Sequence, residues 1–206
     1  MPGTTTTGDP GARMALRQAT AAAHERLHHL PAFAALQAGS IGRDDYAALL
    51  RRLFVFHRAV EESLKAAPSL LPWGIDIAAR GRSPLLLDDL AFLGAPAMPL
   101  PAPPELPTLG SAGEALGCLY VTEGSTLGGR ELARRLDPLL VPGSAEGRRF
   151  LLGHGPRHGE MWREFCRALE TYGDTPARRE EMIAAALAAF AVFGDWFGAI
   201  EPFSAA

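Results

Sequence analysis

A histidine on the first predicted helix is a candidate ligand for a metal or a haem iron. The periodicity of residues 13–29 predicts a helix that ends before Pro31. Residues three, four or seven apart share a face of a helix, and alanines around His24 leave room for a large planar group. The residues that share the face of His24 are Arg17, Thr20, Leu27 and His28. From this pattern alone, His24 is either a ligand or a solvated polar residue.

Other metal chemistries find little support in the sequence. It has no C-x-x-C-H segment for covalent haem attachment and no ligand spacing typical of structural zinc. A di-iron bundle requires a Glu-x-x-His pair on each of two helices, and the chain does not supply two such pairs.

A second candidate site is a helix predicted over 111–135 that is unusually rich in glycine. Three of its glycines together give up about 3 kcal/mol of helix propensity relative to alanine. Close helix packing or a kink would explain them, and so would a flat, bulky group lying against bare backbone. The segment is no phosphate loop, because it lacks the Gly-Lys-Ser/Thr ending and follows no strand. The glycines on one face are Gly113, Gly117, Gly124 and Gly128, with Ser125 and Gly129 beside them.

Two arginines one turn apart form the third candidate. Arg163 and Arg167 lie on one face of a helix predicted over 156–173. Their guanidinium groups suit bidentate contact with carboxylates. The alternative is an exposed face on which they pair with nearby acids, namely Glu160, Glu164 and Glu170.

The elements that carry these residues are helical almost throughout. The proline-rich stretch 94–107 predicts an extended surface connection, because proline disfavours helix and interior strand. We predict an all-α fold of about seven helices in a single domain, residues 13–206, after a disordered tail, residues 1–12. The predicted helices are 13–29, 43–66, 84–93, 111–135, 144–153, 156–173 and 175–200, the last with Thr175 as its N-cap.

Composition places the chain among globular proteins. It has 206 residues, of which 48% are hydrophobic, and its net charge of −3 gives no case for broad nucleic-acid binding. Cys118 and Cys166 are scattered within helical patterns, which indicates a reducing compartment. The start of the chain has no secretory pattern, and no apolar run is expected to reach membrane-spanning length. These features predict a cytoplasmic protein without membrane contact.

Taken in order, these segments resemble the haem oxygenase family. LRQATAAAHERL (16–27) is similar to the family's proximal helix, and YAALLRRLFVFHRAVEESL (46–64) to the next helix. GCLYVTEGSTLGGREL (117–132) is similar to the distal helix of bacterial, biliverdin-producing members, with its Gly-Ser-x-Leu-Gly segment. The resemblance covers residues 13–200.

The resemblance implies a haem held between the proximal and distal helices. His24 would be the iron ligand, and Gly124, Ser125 and Gly128 would form the catalytic surface on the opposite side. It also implies a larger set of haem-binding residues, namely Arg17, Thr20, His24, Tyr120, Gly124, Gly128, Gly129, Arg163 and Arg167. Of these, the three arginines would hold the propionates.

In such an enzyme haem is both cofactor and substrate. O2 and electrons from an external donor would convert it to biliverdin, carbon monoxide and free iron. The implied partners are a ferredoxin or flavin reductase and a bilin-accepting photoreceptor, and a monomer is expected.

Three positions depart from the family pattern. Ser125 stands where mammalian members carry an aspartate, His57 stands at a commonly aromatic position, and Ala21 replaces a basic residue. These departures keep open a haem carrier or sensor on the same fold. A thiaminase-like hydrolase is a further alternative, but Cys118 lies on a different face from the glycines.

Overall fold

The computed structural model describes residues 11–95 and 100–198, without the side chains of Thr126 and Leu127. These residues contain no strand, which confirms the all-α prediction. Short 3-10 turns lie at Leu71–Trp73, Ala78–Arg80 and Gly155–Arg157. The described α-helices are α1 Ala12–His28, α2 Pro31–Ala38, α3 Arg43–Ala66, α4 Ser83–Phe92, α5 Ala112–Arg135, α6 Arg149–Leu152, α7 His158–Tyr172 and α8 Pro176–Gly198.

Local sequence signals set the bounds of the long helices. The hydroxyl of Ser111 accepts a hydrogen bond from the Glu114 backbone N–H at 3.1 Å and so caps α5. Thr175 plays the predicted role for α8, because its hydroxyl accepts from the Arg178 N–H at 3.4 Å. Of the extended connection predicted over 94–107, residues 96–99 lie outside the described residues, and residues 100–107 contain no helix.

Two short helices differ from the prediction. Pro31 ends the first predicted helix and also starts α2, because proline fits the first turn of a helix; α2 then ends at Gly39, which has φ +71°. Helix α6 covers only Arg149–Leu152 instead of 144–153. Its start is fixed from a distance by Asp89, whose carboxylate accepts from the backbone N–H groups of Arg149 and Phe150 at 2.8 and 2.9 Å.

The predicted tail falls almost entirely outside the described residues. Residues 1–10 lie outside them, and α1 starts at Ala12, one residue earlier than expected. Ala12 is buried, and its N–H donates to the Glu170 carboxylate at 2.8 Å. The first turn of α1 is thereby attached to the end of α7.

Helix α5 lies at the centre of the packing. It contacts α8 most extensively and also packs against α3, α6 and α7, while α1 packs on α8 and α7. Aromatic rings of Phe33, Phe56, Phe193 and Phe197 pack against one another where α2, α3 and α8 meet.

One described helix, α8, is long and apolar enough to cross a membrane by length and composition. This corrects the expectation that no apolar run reaches that length. The core helices of soluble proteins pass the same test. The side chains of Met182, Ala186, Phe190 and Phe197 on α8 are buried in the described core, and 28% of its apolar window is buried in all.

The glycines of α5 divide into two groups with different surroundings. A Cβ at Gly117 would overlap the backbone carbonyl of Met182 on α8, and a Cβ at Gly129 would overlap that of Leu151 on α6. A Cβ at Gly124 or Gly128 would meet no described atom within 4 Å. Close helix packing therefore explains Gly117 and Gly129, whereas packing within the chain does not require glycine at 124 or 128.

The difference between the packed and the open glycines of α5 predicts that substitution by alanine changes the stability in different directions at the two kinds of position. Gly117→Ala should destabilise the haem-free protein by about 1–3 kcal/mol, because the obstructing atoms belong to backbone. Gly128→Ala, the matched control, should leave the stability unchanged or raise it by up to about 1 kcal/mol through helix propensity. Urea unfolding of both variants followed by circular dichroism measures the difference. Equal destabilisation by both substitutions would contradict the division.

Candidate functional site

His24 lies on the outer face of α1 with its imidazole exposed. Its ring centroid is 4.8 Å from that of His28, in an edge-on arrangement, and 6.4 Å from that of Phe190 on α8. Partial burial and the proximity of His28 lower the pKa of His24 below its ordinary value. The imidazole is therefore neutral at pH 7 and has a nitrogen lone pair available to a metal.

Thr20 and Tyr120 join α1 to α5 one turn before His24. Thr20 is buried, its hydroxyl donates to the Leu16 carbonyl at 2.8 Å, and it lies near enough to the Tyr120 phenol to lower the pKa of that group. Burial raises the pKa of Tyr120, against the effect of the nearby charges of Arg17 and Arg13. Helix α1 and the guanidinium groups of Arg13 and Arg17 therefore approach α5 at Tyr120, a place called here the Thr20–Tyr120 junction.

The two helices run in the same direction from this junction. Ala12 at the start of α1 bonds Glu170 of α7, and Gly113 at the start of α5 approaches Tyr172, also of α7. Both helices therefore start near the end of α7. His24 follows Thr20 by one turn, and Gly124 follows Tyr120 by one turn.

Ser125 lies on α5 next to the open glycine positions. Its hydroxyl donates to the Thr122 carbonyl at 2.7 Å and accepts from Nη1 of Arg82 at 3.1 Å. The hydroxyl proton is thus used within the helix, and one lone pair of the oxygen stays available as an acceptor.

Arg82 is buried beneath α5. Its Nη1 also donates to the Thr122 carbonyl at 3.1 Å, its Nη2 donates to the Phe150 carbonyl at 3.0 Å, and its guanidinium lies 4.0 Å from the centre of the Phe150 ring. Burial lowers the pKa of Arg82 to about 10, opposed by Glu123 and Glu61. The group is therefore charged at pH 7 and places a positive charge behind Ser125.

Arg80 forms a second buried charge centre. Its Nη1 pairs with the Glu123 carboxylate at 2.9 Å, and its Nη2 reaches Glu164 and the Met161 carbonyl, both at 3.2 Å. Burial raises the pKa of Glu123, and the Arg80 guanidinium opposes that rise. These bonds attach the residue before Gly124 to α7.

His57 is fully enclosed on α3, where its ring lies 4.8 Å from that of Phe150. Burial, reinforced by the positive charge of Arg82, lowers the pKa of His57 well below its ordinary value. His57 is therefore a neutral packing partner of the Phe150 ring at pH 7.

Arg163 and Arg167 are exposed on α7, and the acids expected to pair with them are engaged elsewhere. Glu164 bonds Arg80, and Glu170 accepts hydrogen bonds from the backbone N–H groups of Ala12 and Arg13. The exposed-face pairing with Glu164 and Glu170 is therefore not what the structure shows. The guanidinium groups of Arg163 and Arg167 therefore remain exposed on α7, the helix to which the start of α1 is attached.

Sequence reasoning missed the buried arginines. Arg80 and Arg82 stand two residues apart in the turn before α4, and their side chains reach α5 more than 40 residues away in the chain. The only local signal was the A-R-G-R-S segment, two cations beside a glycine with no acid within the turn. Of the predicted residues, Arg17 and Thr20 of α1 lie near Tyr120 of α5, whereas Gly129 contacts α6.

Chemically, the predicted residues supply a neutral imidazole on α1, a strip of bare helix on α5 and several cations. These features fit a planar ligand with a metal at its centre and carboxylates at its edge, and a Cβ at Gly124 or Gly128 would project into the space beside the strip. Among the described residues, no three His, Cys, Asp or Glu side chains could hold a metal ion on their own.

The chain is similar in sequence to known haem oxygenases. The family model described as heme oxygenase matches residues 12–96 and 105–199. A heme oxygenase of Xanthomonas campestris pv. campestris is 36% identical over 166 residues, which cover 77% of this chain and 92% of the relative.

Solved structures show the same fold. The NO- and CO-bound heme oxygenase of Neisseria meningitidis superposes with a TM-score of 0.72 at 28% identity, over 96% of both chains. Heme oxygenase from Leptospira interrogans gives a TM-score of 0.73 at 15% identity, over 93% of this chain and 100% of the other. Heme oxygenase-1 of the cyanobacterium Synechocystis, solved in complex with heme, gives 0.70 at 18% identity, over 93% of both chains.

The sequence match covers most of the chain and the fold match covers nearly all of it, so the chain belongs to the haem oxygenase family and is an enzyme of that family.

Proposed function

We propose that this enzyme binds haem between α1 and α5 and cleaves it with O2 to biliverdin, carbon monoxide and free iron. The observation that carries the proposal is the approach of α1 to α5 at Thr20 and Tyr120, one helical turn before His24 and Gly124. Helix α1 carries the neutral His24, and α5 carries Gly124 and Gly128, whose glycine character the packing of the described residues does not require.

His24 is the proposed iron ligand. Haem, when bound, supplies both the iron at which O2 is reduced and the ring that is oxidised. The lowered pKa of His24 keeps its imidazole unprotonated at pH 7, so that iron does not compete with a proton for the nitrogen. His28, with its ring 4.8 Å away, is the proposed neighbour that orients His24.

Gly124, Ser125 and Gly128 form the proposed catalytic surface. Without side chains at 124 and 128, the haem face can approach the α5 backbone closely. Ser125 can accept a hydrogen bond there, but it donates its own proton to the Thr122 carbonyl. Positive potential at this surface comes from the Arg82 guanidinium behind Ser125. Gly129 supports the surface by permitting close approach of α6.

The cations near the start of α1 and along α7 are the proposed contacts of the haem propionates. Arg17 lies near Tyr120, and Arg163 and Arg167 are exposed on α7, which is attached to α1 through Glu170. Guanidinium groups hold carboxylates through paired N–H donors. Thr20 and Tyr120 add two hydroxyl groups at the same place.

The proposed partners follow from the chemistry. Reduction of O2 needs electrons that haem itself does not supply, so we propose a ferredoxin or a flavin reductase as the donor. We further propose that the enzyme acts as a monomer in the cytoplasm, and that a bilin-accepting photoreceptor takes up its product.

Haem turnover tests the function directly. The purified protein should bind haem, and addition of ferredoxin, its reductase and NADPH in air should replace the haem spectrum with that of biliverdin. Chromatography of the product identifies the bilin isomer. A stable haem complex that yields no bilin would support the carrier or sensor hypothesis instead.

The ligand assignment predicts different effects at two neighbouring histidines. His24→Ala should change the Soret band and abolish turnover, because the iron loses its protein ligand. His28→Ala is the comparison on the same helix face, and its ferric haem complex should keep a histidine-ligated iron, with at most a small shift of the Soret band. Absorption and resonance Raman spectra measure both. If His28→Ala alone changed the ligation, His28 and not His24 would be the ligand.

The propionate contacts predict a loss of haem affinity. Arg163→Ala and Arg167→Ala should each raise the Kd for haem roughly fivefold, equivalent to about 1 kcal/mol for an exposed charge contact. Arg58→Ala is the control, since Arg58 is an exposed arginine of α3 that pairs with Glu62 at 3.0 Å. Haem titration at constant salt measures the Kd values. Affinities equal to that of the control would remove these arginines from the binding site.

A further inference from the structure

The short helix α6 holds α5 on both sides of its open glycines. Before them, the Phe150 carbonyl accepts from Nη2 of Arg82 at 3.0 Å, and Nη1 of the same arginine donates to the Thr122 carbonyl at 3.1 Å. After them, the Leu151 carbonyl lies where a Cβ at Gly129 would stand. The stretch of α5 that carries the open positions is therefore in contact with α6 at each of its ends.

A third contact attaches the start of α6 to the end of α5. Arg148, the residue before α6, is buried, and its Nη1 pairs with the Asp137 carboxylate at 2.6 Å. The same nitrogen donates to the Ala133 carbonyl, two turns from the end of the open stretch. A displacement of α6 would therefore change the support of α5 over its whole second half.

A buried carboxylate of α4 fixes α6 in turn. Asp89 has no exposed surface, and its two oxygens accept from the backbone N–H groups of Arg149 at 2.8 Å and Phe150 at 2.9 Å. Such groups in the first turn of a helix have no partner within the helix. The start of α4 is itself held by α3, because Glu61 accepts from the Ser83 N–H at 2.8 Å. Asp89 thus connects the α3–α4 pair to α6 by hydrogen bonds.

The charge on Asp89 is maintained against burial. Burial raises the pKa of Asp89 to about 6, and the nearby Asp88 adds to this effect. The two N–H donors and the Arg149 guanidinium oppose it, so the group is ionised at pH 7. A buried charge is costly unless it is hydrogen-bonded, and an apolar side chain would avoid that cost. The carboxylate is therefore explained by the two N–H groups of α6 that it accepts from.

We propose that Asp89 is a positioning residue for haem cleavage: through α6 it fixes the segment of α5 that carries the open glycines, and with it the face that haem contacts. The inference rests on the proposed binding of haem beside Gly124 and Gly128. Phe150 transmits the effect, because Asp89 binds its N–H and Arg82 binds its carbonyl. The proposed iron ligand lies on α1, so a change at Asp89 should leave the ligation of iron intact.

Two substitutions of similar size separate the effect on α6 from the effect of burial. Asp89→Leu removes both acceptors, whereas Asp89→Asn retains one oxygen. Asp88→Leu is the matched control, since Asp88 is the preceding residue of α4, is exposed, and reaches Arg149 only through that residue's side chain, at 3.7 Å.

Amide hydrogen exchange of the haem-free protein, followed by NMR, tests the attachment without haem. In Asp89→Leu, exchange should accelerate about tenfold at Phe150 and over residues 122–129, because the α6 cap is lost. Exchange at Leu16 on α1 should not change. Asp89→Asn should show a smaller acceleration at the same positions, and the Asp88 control none. Equal acceleration in α1 would overturn the inference, because it would show that Asp89 serves only general stability.

The haem complex gives a spectroscopic readout that a loss of stability alone would not move. With carbon monoxide as a probe of the ferrous complex, the C–O stretching band should shift and broaden in Asp89→Leu and return toward the wild-type band in Asp89→Asn. Bilin formation should slow about fivefold in Asp89→Leu, while the Soret band of the ferric complex stays unchanged. A folded Asp89→Leu protein with the wild-type exchange, C–O band and rate would overturn the inference. If Asp89→Leu does not fold, the same comparison with Asp89→Asn decides. A wild-type protein that binds no haem would instead overturn the proposed function.

Discussion

The attachment of α5 to the rest of the molecule depends on buried guanidinium groups. Arg80 and Arg82 reach from one short turn to Glu123, Thr122 and Ser125, and so fix the helix just where its glycines open to solvent. Taking charges out of water is costly, and removal of one partner from a buried pair typically costs 3–5 kcal/mol. Such an anchor lets α5 keep one face free of packing, because the opposite face carries the attachment.

The same helix uses glycine for two different purposes. At Gly117 and Gly129 the backbones of α8 and α6 come too close for a side chain, so glycine permits the packing of the fold. At Gly124 and Gly128 no described atom fills the space where a Cβ would lie. Packing among the described residues therefore does not compensate for the helix propensity that glycine loses at these positions. The helix remains stable because its two ends are packed and its middle is held by Arg80 and Arg82.

Patterns within single helices were predictable from the sequence. The bounds of α3 were predicted at 43–66 and are observed at Arg43–Ala66, because charge and apolar periodicity determine them locally. Helix α2 was missed, since Pro31 can end one helix and begin another. The start of α6 was misplaced because Asp89, some 60 residues away, supplies the cap.

The sequence by itself determined the helical class, the family and the candidate His24, because periodicity and residue spacing along one helix are local properties. The tertiary structure decided which glycines pack and which remain open, since the distinction depends on backbone from α6 and α8. It also decided that Glu164 pairs with Arg80 and Glu170 with the start of α1, leaving Arg163 and Arg167 exposed. Contacts between residues distant in sequence have no local pattern, and only the folded chain brings those groups within hydrogen-bond distance.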